Sequence, residues 1–252
     1  MASKRVVVVT GGGSGMGRAI ARRFASNGDT VYILGRRSNK LEETAKGFDS
    51  IIPVVCDVTD LEAIEKSQKI IAKSHKTIDV LINNAGGSYK VSDSASSNEK
   101  LEAWDQIIKT NLTSVFAMIM VFEKSLARPG GRIINITSMA ALGGSRQGGV
   151  SGQAYSAAKS GIHGINRTLA RSLGEEGITI NALAPGVIDN TEFFPASTVP
   201  GDLKGRYIPI TPMGRLGDSE EIADGVFYLA SDQAGFITGE ILNINGGVQF
   251  GR

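Results

Sequence analysis

Tyr155 and Lys159 lie four positions apart in a helical pattern, so both face one side of the same helix. A phenol beside an ammonium suits proton transfer. At about 4 Å and an effective dielectric of about 20, the cation favours phenolate by roughly 4 kcal/mol. That upper limit carries a phenol from its ordinary pKa of about 10 toward neutrality. Ile162, Leu169 and Leu173 form a stripe whose edge carries both residues, which puts the pair at the rim of a core. The plain alternative is a helix-surface pair worth about 0.2–0.5 kcal/mol, and the spacing alone does not choose between them. Other proton carriers are few. The chain has 2 histidines, His75 and His163. Neither sits in a metal-ligand spacing or a nucleophile relay, so no metal site is expected. His75 reads as a solvated residue at a helix end, and His163 as a structural residue among small neighbours.

A second chemical feature precedes this pair. Valines 6–9 lead through Thr10 into Gly11-Gly12-Gly13-Ser14-Gly15-Met16-Gly17, and an amphipathic helix over 18–24 follows at once. Strand, glycine turn and helix together bring free N–H groups and a partial positive charge to a phosphate. The triphosphatase version is excluded, because Arg18 and Ala19 occupy the places of its lysine and hydroxyl. The glycines present are Gly11, Gly15 and Gly17 rather than Gly-x-Gly-x-x-Gly, and a bare tight turn is the competing reading. The next strand sharpens the choice. Beyond Gly17 by 19 positions it ends in Gly35-Arg36-Arg37. A carboxylate there would bind a ribose hydroxyl of NAD, whereas arginine accommodates the 2′-phosphate of NADP. NADP is therefore the expected cofactor, the alternative being that Arg36 and Arg37 are solvated helix-start residues.

Elements to position these groups follow from the pattern. Short β-branched runs fall near 6–10, 30–34, 51–56, 80–83, 132–137, 178–184 and 240–244, with helical stretches in nearly every gap. Leu61, Ile64, Gln68 and Ile71 mark one face of a charged helix, while the patterns over 101–126 and 155–175 are longer and more apolar. This alternation predicts a single α/β domain over 1–252, a Rossmann-type, doubly wound parallel sheet of about seven strands with helices on both faces. Two irregular stretches, 143–152 and 187–213, follow strands, which is where ligands bind in open parallel sheets. The second carries Phe193 and Phe194 and reads as a substrate loop. Glycine supplies 32 of 252 residues, close to twice the average share. Much of the surplus falls in the phosphate turn and the first irregular stretch.

Composition excludes several classes. With 27 basic and 25 acidic residues the net charge is +2, too small to suggest a nucleic-acid or membrane partner. Cys56, the single cysteine, cannot form an intrachain disulfide, and neither a secretory signal nor a run near 20 apolar residues is present. A cytoplasmic location is expected.

The ordered series Thr10 to Gly17, Asp57, Asn83-Asn84-Ala85-Gly86, Asn111, Ser138, Tyr155 with Lys159, and Pro185-Gly186 resembles the short-chain dehydrogenase/reductase family over essentially the full chain. The resemblance implies hydride transfer between NADP(H) and a carbonyl or secondary alcohol. It implies Tyr155 as general acid/base, with Lys159 lowering its pKa and binding the nicotinamide ribose. Ser138 would hydrogen-bond the reacting carbonyl, and Asn111 would hold a relay water. Gly11, Gly13, Ser14, Gly15, Met16 and Gly17 would cradle the phosphates; Asp57 and Val58 would contact the adenine. Asn84, Ala85 and Gly86 would lie near the adenine-side ribose, and Pro185, Gly186 and Ile188 near the nicotinamide.

Two departures stand out. Ser138 and Tyr155 are 17 positions apart, wider than the family's usual spacing, so 143–152 reads as an expanded loop. Asn190 stands where the family carries threonine, and Thr191 falls one position late. Ile208, Ile210 and Met213 suggest an apolar wall, and Arg146 or Arg206 an anion contact; a 3-oxoacyl thioester or another apolar ketone is the expected substrate. The alternative is a catalytically silent NADP-binding sensor or scaffold, against which the full set of four catalytic-type residues argues. The resemblance also implies a homotetramer or dimer formed through the two long helices.

Overall fold

The first strand, β1 (Val6–Thr10), is buried along its whole length. Side chains alternate across a strand, so Val6 and Val8 enter one core while Val7 and Val9 enter another. A run of this kind suits a central strand covered on both faces. In the computed structural model, which describes residues 4–89, 91–146, 148–189, 191 and 203–250, β1 lies inside a seven-stranded sheet. The other strands are β2 (Thr30–Gly35), β3 (Ile51–Val55), β4 (Val80–Asn83), β5 (Arg132–Ile136), β6 (Thr179–Pro185) and β7 (Ile241–Ile244). Their order is β3-β2-β1-β4-β5-β6-β7, with every pairing parallel.

Helices cover both faces. Ile20 and Phe24 of α1 (Gly15–Ser26), Leu41 of α2 (Ser38–Ala45) and Ile222 and Val226 of α9 (Ser219–Leu229) pack with Val7 and Val9. On the other face, Ile64 and Ile71 of α3 (Leu61–Ala72), Met118 and Phe122 of α5 (Ser114–Phe122) and Ile162 of α7 (Gly149–Gly174) pack with Val6 and Val8. From β1 the chain winds outward to β3, then returns to pair β4 on the other side of β1. The carboxyl ends of β1 and β4 therefore border a crevice at the point where strand order reverses.

Three expectations are corrected. The helix predicted over 101–126 is divided into α4 (Ser97–Ile108), a π-helical turn Lys109–Thr113, α5 and a 3₁₀ turn Glu123–Ser125. A capping box between Ser96 and Glu99 also starts α4 earlier than its apolar periodicity indicated. The stretch 143–152 is not all loop: Ala140–Gly143 forms α6, and α7 already begins at Gly149. Finally, His75 is not simply solvated. Its backbone N–H bonds the Ile71 carbonyl at 2.9 Å, and its Nδ1 lies 2.9 Å from the buried Tyr32 hydroxyl. The remaining helix is α8 (Leu203–Tyr207). Among the described residues no helix is long and apolar enough to cross a membrane.

Candidate active site

Thr10 ends β1 and ties it to the exit of β4. Its hydroxyl accepts from the backbone N–H groups of Asn84 and Ala85, both at 3.0 Å. The Asn84 side-chain amide returns the connection, donating to the carbonyls of Thr10 at 2.9 Å and Gly11 at 3.3 Å. These bonds set the glycine turn against 84–86 across the crevice.

At Gly11 and Gly17 the turn has no room for a side chain. A Cβ on Gly17 would stand 2.2 Å from the Gly11 carbonyl oxygen, and Gly11 has φ +67° with Asn84 Nδ2 2.9 Å from its Cβ position. Glycine is therefore required at both places by sterics. Ser14 precedes α1 in extended conformation without a side-chain capping bond, and the first helical turn carries no acidic residue. Such an end suits an anion.

A cavity of about 410 Å³ opens over this turn. Gly11, Gly13 to Gly17, Arg36, Arg37, Asp57, Val58, Asn84 to Gly86, Tyr155 and Lys159 all line it. Burial by itself would raise the Asp57 carboxyl, but the Thr59 backbone N–H and hydroxyl and the Arg36 guanidinium hold it below the ordinary carboxylate range. Gly186 and Ile188 line instead a smaller cavity of about 60 Å³, at the end of β6. Pro185 closes β6 and its carbonyl accepts from the Met139 N–H at 2.9 Å, which joins that end to the segment carrying Ser138.

At the catalytic end, the Tyr155 hydroxyl hydrogen-bonds Ser138. Lys159 Nζ donates to the Ile136 carbonyl at 2.8 Å and lies 5.8 Å from the centre of the Tyr155 ring. Asn111 sits in the π-helical turn, fully buried. Its amide donates to the carbonyls of Gly87 at 2.7 Å and Ile107 at 2.9 Å and accepts from the Gly87 N–H at 3.1 Å. Gly86 fits between these groups: a Cβ there would meet Asn111 Oδ1 at 2.7 Å and Lys159 Nζ at 3.2 Å.

Electrostatics at this end differ from the expectation based on spacing. Burial pushes the Tyr155 phenol up to about 12, a rise the Ser138 hydrogen bond partly offsets, and burial pushes Lys159 down to about 8. Desolvation disfavours charge on both groups, and the Lys159 ammonium is held by the Ile136 carbonyl. The phenol is therefore neutral at pH 7. His163 is buried, its proton affinity reduced by burial and by Arg167, and it lines neither cavity.

Several residues not anticipated from sequence also line the larger cavity, among them Lys40, Thr59, Tyr89 and Thr110, and Thr191 lines it too. Lys40 had a legible signal, since it follows Arg37 by one helical turn. Tyr89 and Thr110 had none: their side-chain oxygens meet at 3.3 Å only because the exit of β4 folds against the π-helical turn. Thr191 lies 3.5 Å from the Gly15 Cβ position, so the displaced threonine reaches the glycine turn. Asn190, Phe193 and Phe194 fall outside the described residues.

A glycine turn at the switch point of a parallel sheet, sharing one cavity with a tyrosine and a buried lysine, defines an oxidoreductase of the Rossmann type that uses a nicotinamide dinucleotide. Comparison with known proteins gives the family. The family model described as enoyl-(acyl carrier protein) reductase matches residues 11–249. The chain is 38% identical over 251 residues to a 3-oxoacyl-(acyl-carrier-protein) reductase of Haemophilus influenzae, covering 97% of this chain and 98% of that one. It is 36% identical over 253 residues to the enzyme of the same name from Vibrio harveyi, covering 97% of each. A short chain dehydrogenase of Bacillus anthracis superposes with a TM-score of 0.81 at 34% identity, covering 98% of both chains. A doubly substituted short-chain dehydrogenase/reductase of Serratia marcescens gives a TM-score of 0.83 at 31% identity, covering 97% of both. The chain belongs to the short-chain dehydrogenase/reductase family.

Proposed function

We propose that the protein is an NADP(H)-dependent carbonyl reductase whose substrate class is the 3-oxoacyl thioesters. The observation that carries this reading is the Ser138–Tyr155 hydroxyl pair, whose tyrosine lines, together with buried Lys159, the same cavity as the glycine turn and Arg36 and Arg37. The cradle fits a dinucleotide, since the start of α1, with no capping side chain and no acidic residue in its first turn, opens on the cavity that Arg36 and Arg37 also line. Backbone N–H groups of Gly11 and 13–17 hold the phosphates, Arg36 and Arg37 the 2′-phosphate, Asp57 and Val58 the adenine, and Asn84 to Gly86 the neighbouring ribose. Lys159 would bind the second ribose, and Pro185 with Gly186 and Ile188, which line the smaller cavity at the end of β6, would flank the nicotinamide side. When bound, that ring supplies or accepts the hydride.

The residues of the chain handle the oxygen. Tyr155, neutral at pH 7, is in the form that donates a proton to a carbonyl oxygen gaining negative charge, which favours the reductive direction. Ser138 donates a hydrogen bond to the same oxygen. The Lys159 cation stabilises the phenolate left behind, and Asn111 holds a water that returns the proton. Two hydroxyls able to reach one oxygen suit a carbonyl better than a carbon–carbon double bond, and the named relatives reduce 3-oxoacyl groups, which supports the thioester over the enoyl chemistry in the family model's description. Self-association through α5 and α7 is part of the reading; Phe116 and Met120 of α5 are exposed, and light scattering that finds a monomer overturns it.

The test is consumption of NADPH with a panel of 3-oxoacyl thioesters and other ketones. Tyr155→Phe should remove turnover while NADPH still binds. Residual activity above about 1% of the native rate overturns the acid/base assignment, since a positioned acid contributes about 10²–10⁴-fold. Inactivity over the whole panel despite tight NADPH binding favours an NADP-binding sensor instead.

A further inference from the structure

Lys40 lines the same cavity as Arg36 and Arg37, in the first turn of α2. Its Cβ lies 3.1 Å from the position a Gly13 Cβ would take, so the lysine stem packs beside the glycine turn. Its Nζ donates to both carboxylate oxygens of Glu43, at 3.1 and 2.9 Å. Glu43 also accepts from Arg18 Nη2 at 3.2 Å, and the same Arg18 nitrogen donates to the Gly13 carbonyl at 2.8 Å. One carboxylate therefore engages two cations beside the anion-binding turn.

Competition decides what this arrangement does. The Lys40–Glu43 pair is partly exposed, with side chains 30% and 49% accessible. Such pairs contribute about 0–1 kcal/mol. A phosphate monoester carries close to two negative charges and three strong acceptor oxygens, so it outcompetes a single exposed carboxylate for an ammonium within reach. We propose that Lys40 is a further determinant of 2′-phosphate recognition, and that Glu43 is the competing carboxylate that holds it when the ligand lacks that phosphate. Glu43 is ionised at neutral pH, and its hydrogen bond from Lys40 keeps its carboxyl below the ordinary range. The inference rests on the assignment of Arg36 and Arg37 to NADP.

Calorimetric binding of NADPH, NADH, 2′,5′-ADP and 5′-AMP to the native protein and its variants tests this without turnover. Lys40→Gln should weaken NADPH and 2′,5′-ADP by about five- to tenfold and move NADH and 5′-AMP by less than about twofold. Glu43→Gln should tighten the two phosphorylated ligands by about two- to threefold. Lys40→Arg should retain the preference, which separates loss of charge from loss of folding. Equal weakening of NADPH and NADH by Lys40→Gln would make the lysine a prop for the glycine turn and overturn its role. A native preference for NADPH that survives Lys40→Gln unchanged also overturns that role, and only that. Native protein that binds NADH as tightly as NADPH overturns the NADP reading and the role of Lys40 with it.

Discussion

Replacing Thr10 with valine deletes one hydroxyl and nearly preserves the side-chain volume. That hydroxyl accepts from the Asn84 and Ala85 N–H groups at 3.0 Å each and donates to the Ile82 carbonyl at 3.4 Å. Thr10 is 2% exposed, so solvent does not replace the lost acceptor. A stranded buried donor costs about 1–3 kcal/mol. Asn84 and Ala85 are only partly buried, which places each in the lower half of that range. Thr10→Val should therefore lose about 2–4 kcal/mol of stability, the long Ile82 bond adding little. For a chain of this size that lowers Tm by about 4–16 °C. Thr10→Ser keeps the acceptor and removes one methyl, at a cost of about 1 kcal/mol. Denaturant unfolding should rank native protein above Thr10→Ser, and Thr10→Ser above Thr10→Val. NADPH affinity should fall in the same order, because the clasp sets the glycine turn against 84–86. If valine is tolerated within about 0.5 kcal/mol, or better than serine, the methyl rather than the hydroxyl matters and the clasp is refuted.

Other outcomes follow from the same geometry. Lys159 titrates near 8 in the fold against 10.5 as an ordinary lysine, so its buried charge lowers stability below pH 8 and that cost fades as pH rises between the two values. In the free enzyme, kcat/KM for reduction should fall with a one-proton slope above that lower value; a profile flat to about pH 10 would remove Lys159 from the mechanism. Gly17→Ala places a Cβ 2.2 Å from a backbone oxygen, and should weaken NADPH binding by about tenfold or more in titrations; unchanged affinity would mean the turn does not hold the phosphates. Arg36→Asp should raise the Michaelis constant for NADPH far more than that for NADH, and equal effects on both would remove the 2′-phosphate assignment.

Much of the architecture is legible in the chain because its causes are local. Four adjacent valines demand a strand covered on both sides, and a glycine series between that strand and a helix demands close backbone approach. Arg36 and Arg37 are placed by counting along the second strand. Tyr155 and Lys159 share a helix face by period alone, and all four reach one cavity. Extents were less legible: glycines 148 and 149 read as loop, yet α7 begins at Gly149, because helix ends depend on neighbouring packing as well as propensity.

Tertiary structure decided what depends on distant atoms. The π-helical turn around Asn111 is coupled to Gly87, 24 positions away, and His75 meets Tyr32 across 43. The chain alone placed Lys159 one turn from Tyr155, but the surrounding burial, with the Ser138 hydroxyl at Tyr155, shifts the proton affinity of both. Spacing along a helix specifies which side chains can meet; their proton affinities follow from how much water the rest of the fold excludes and which carbonyls it supplies.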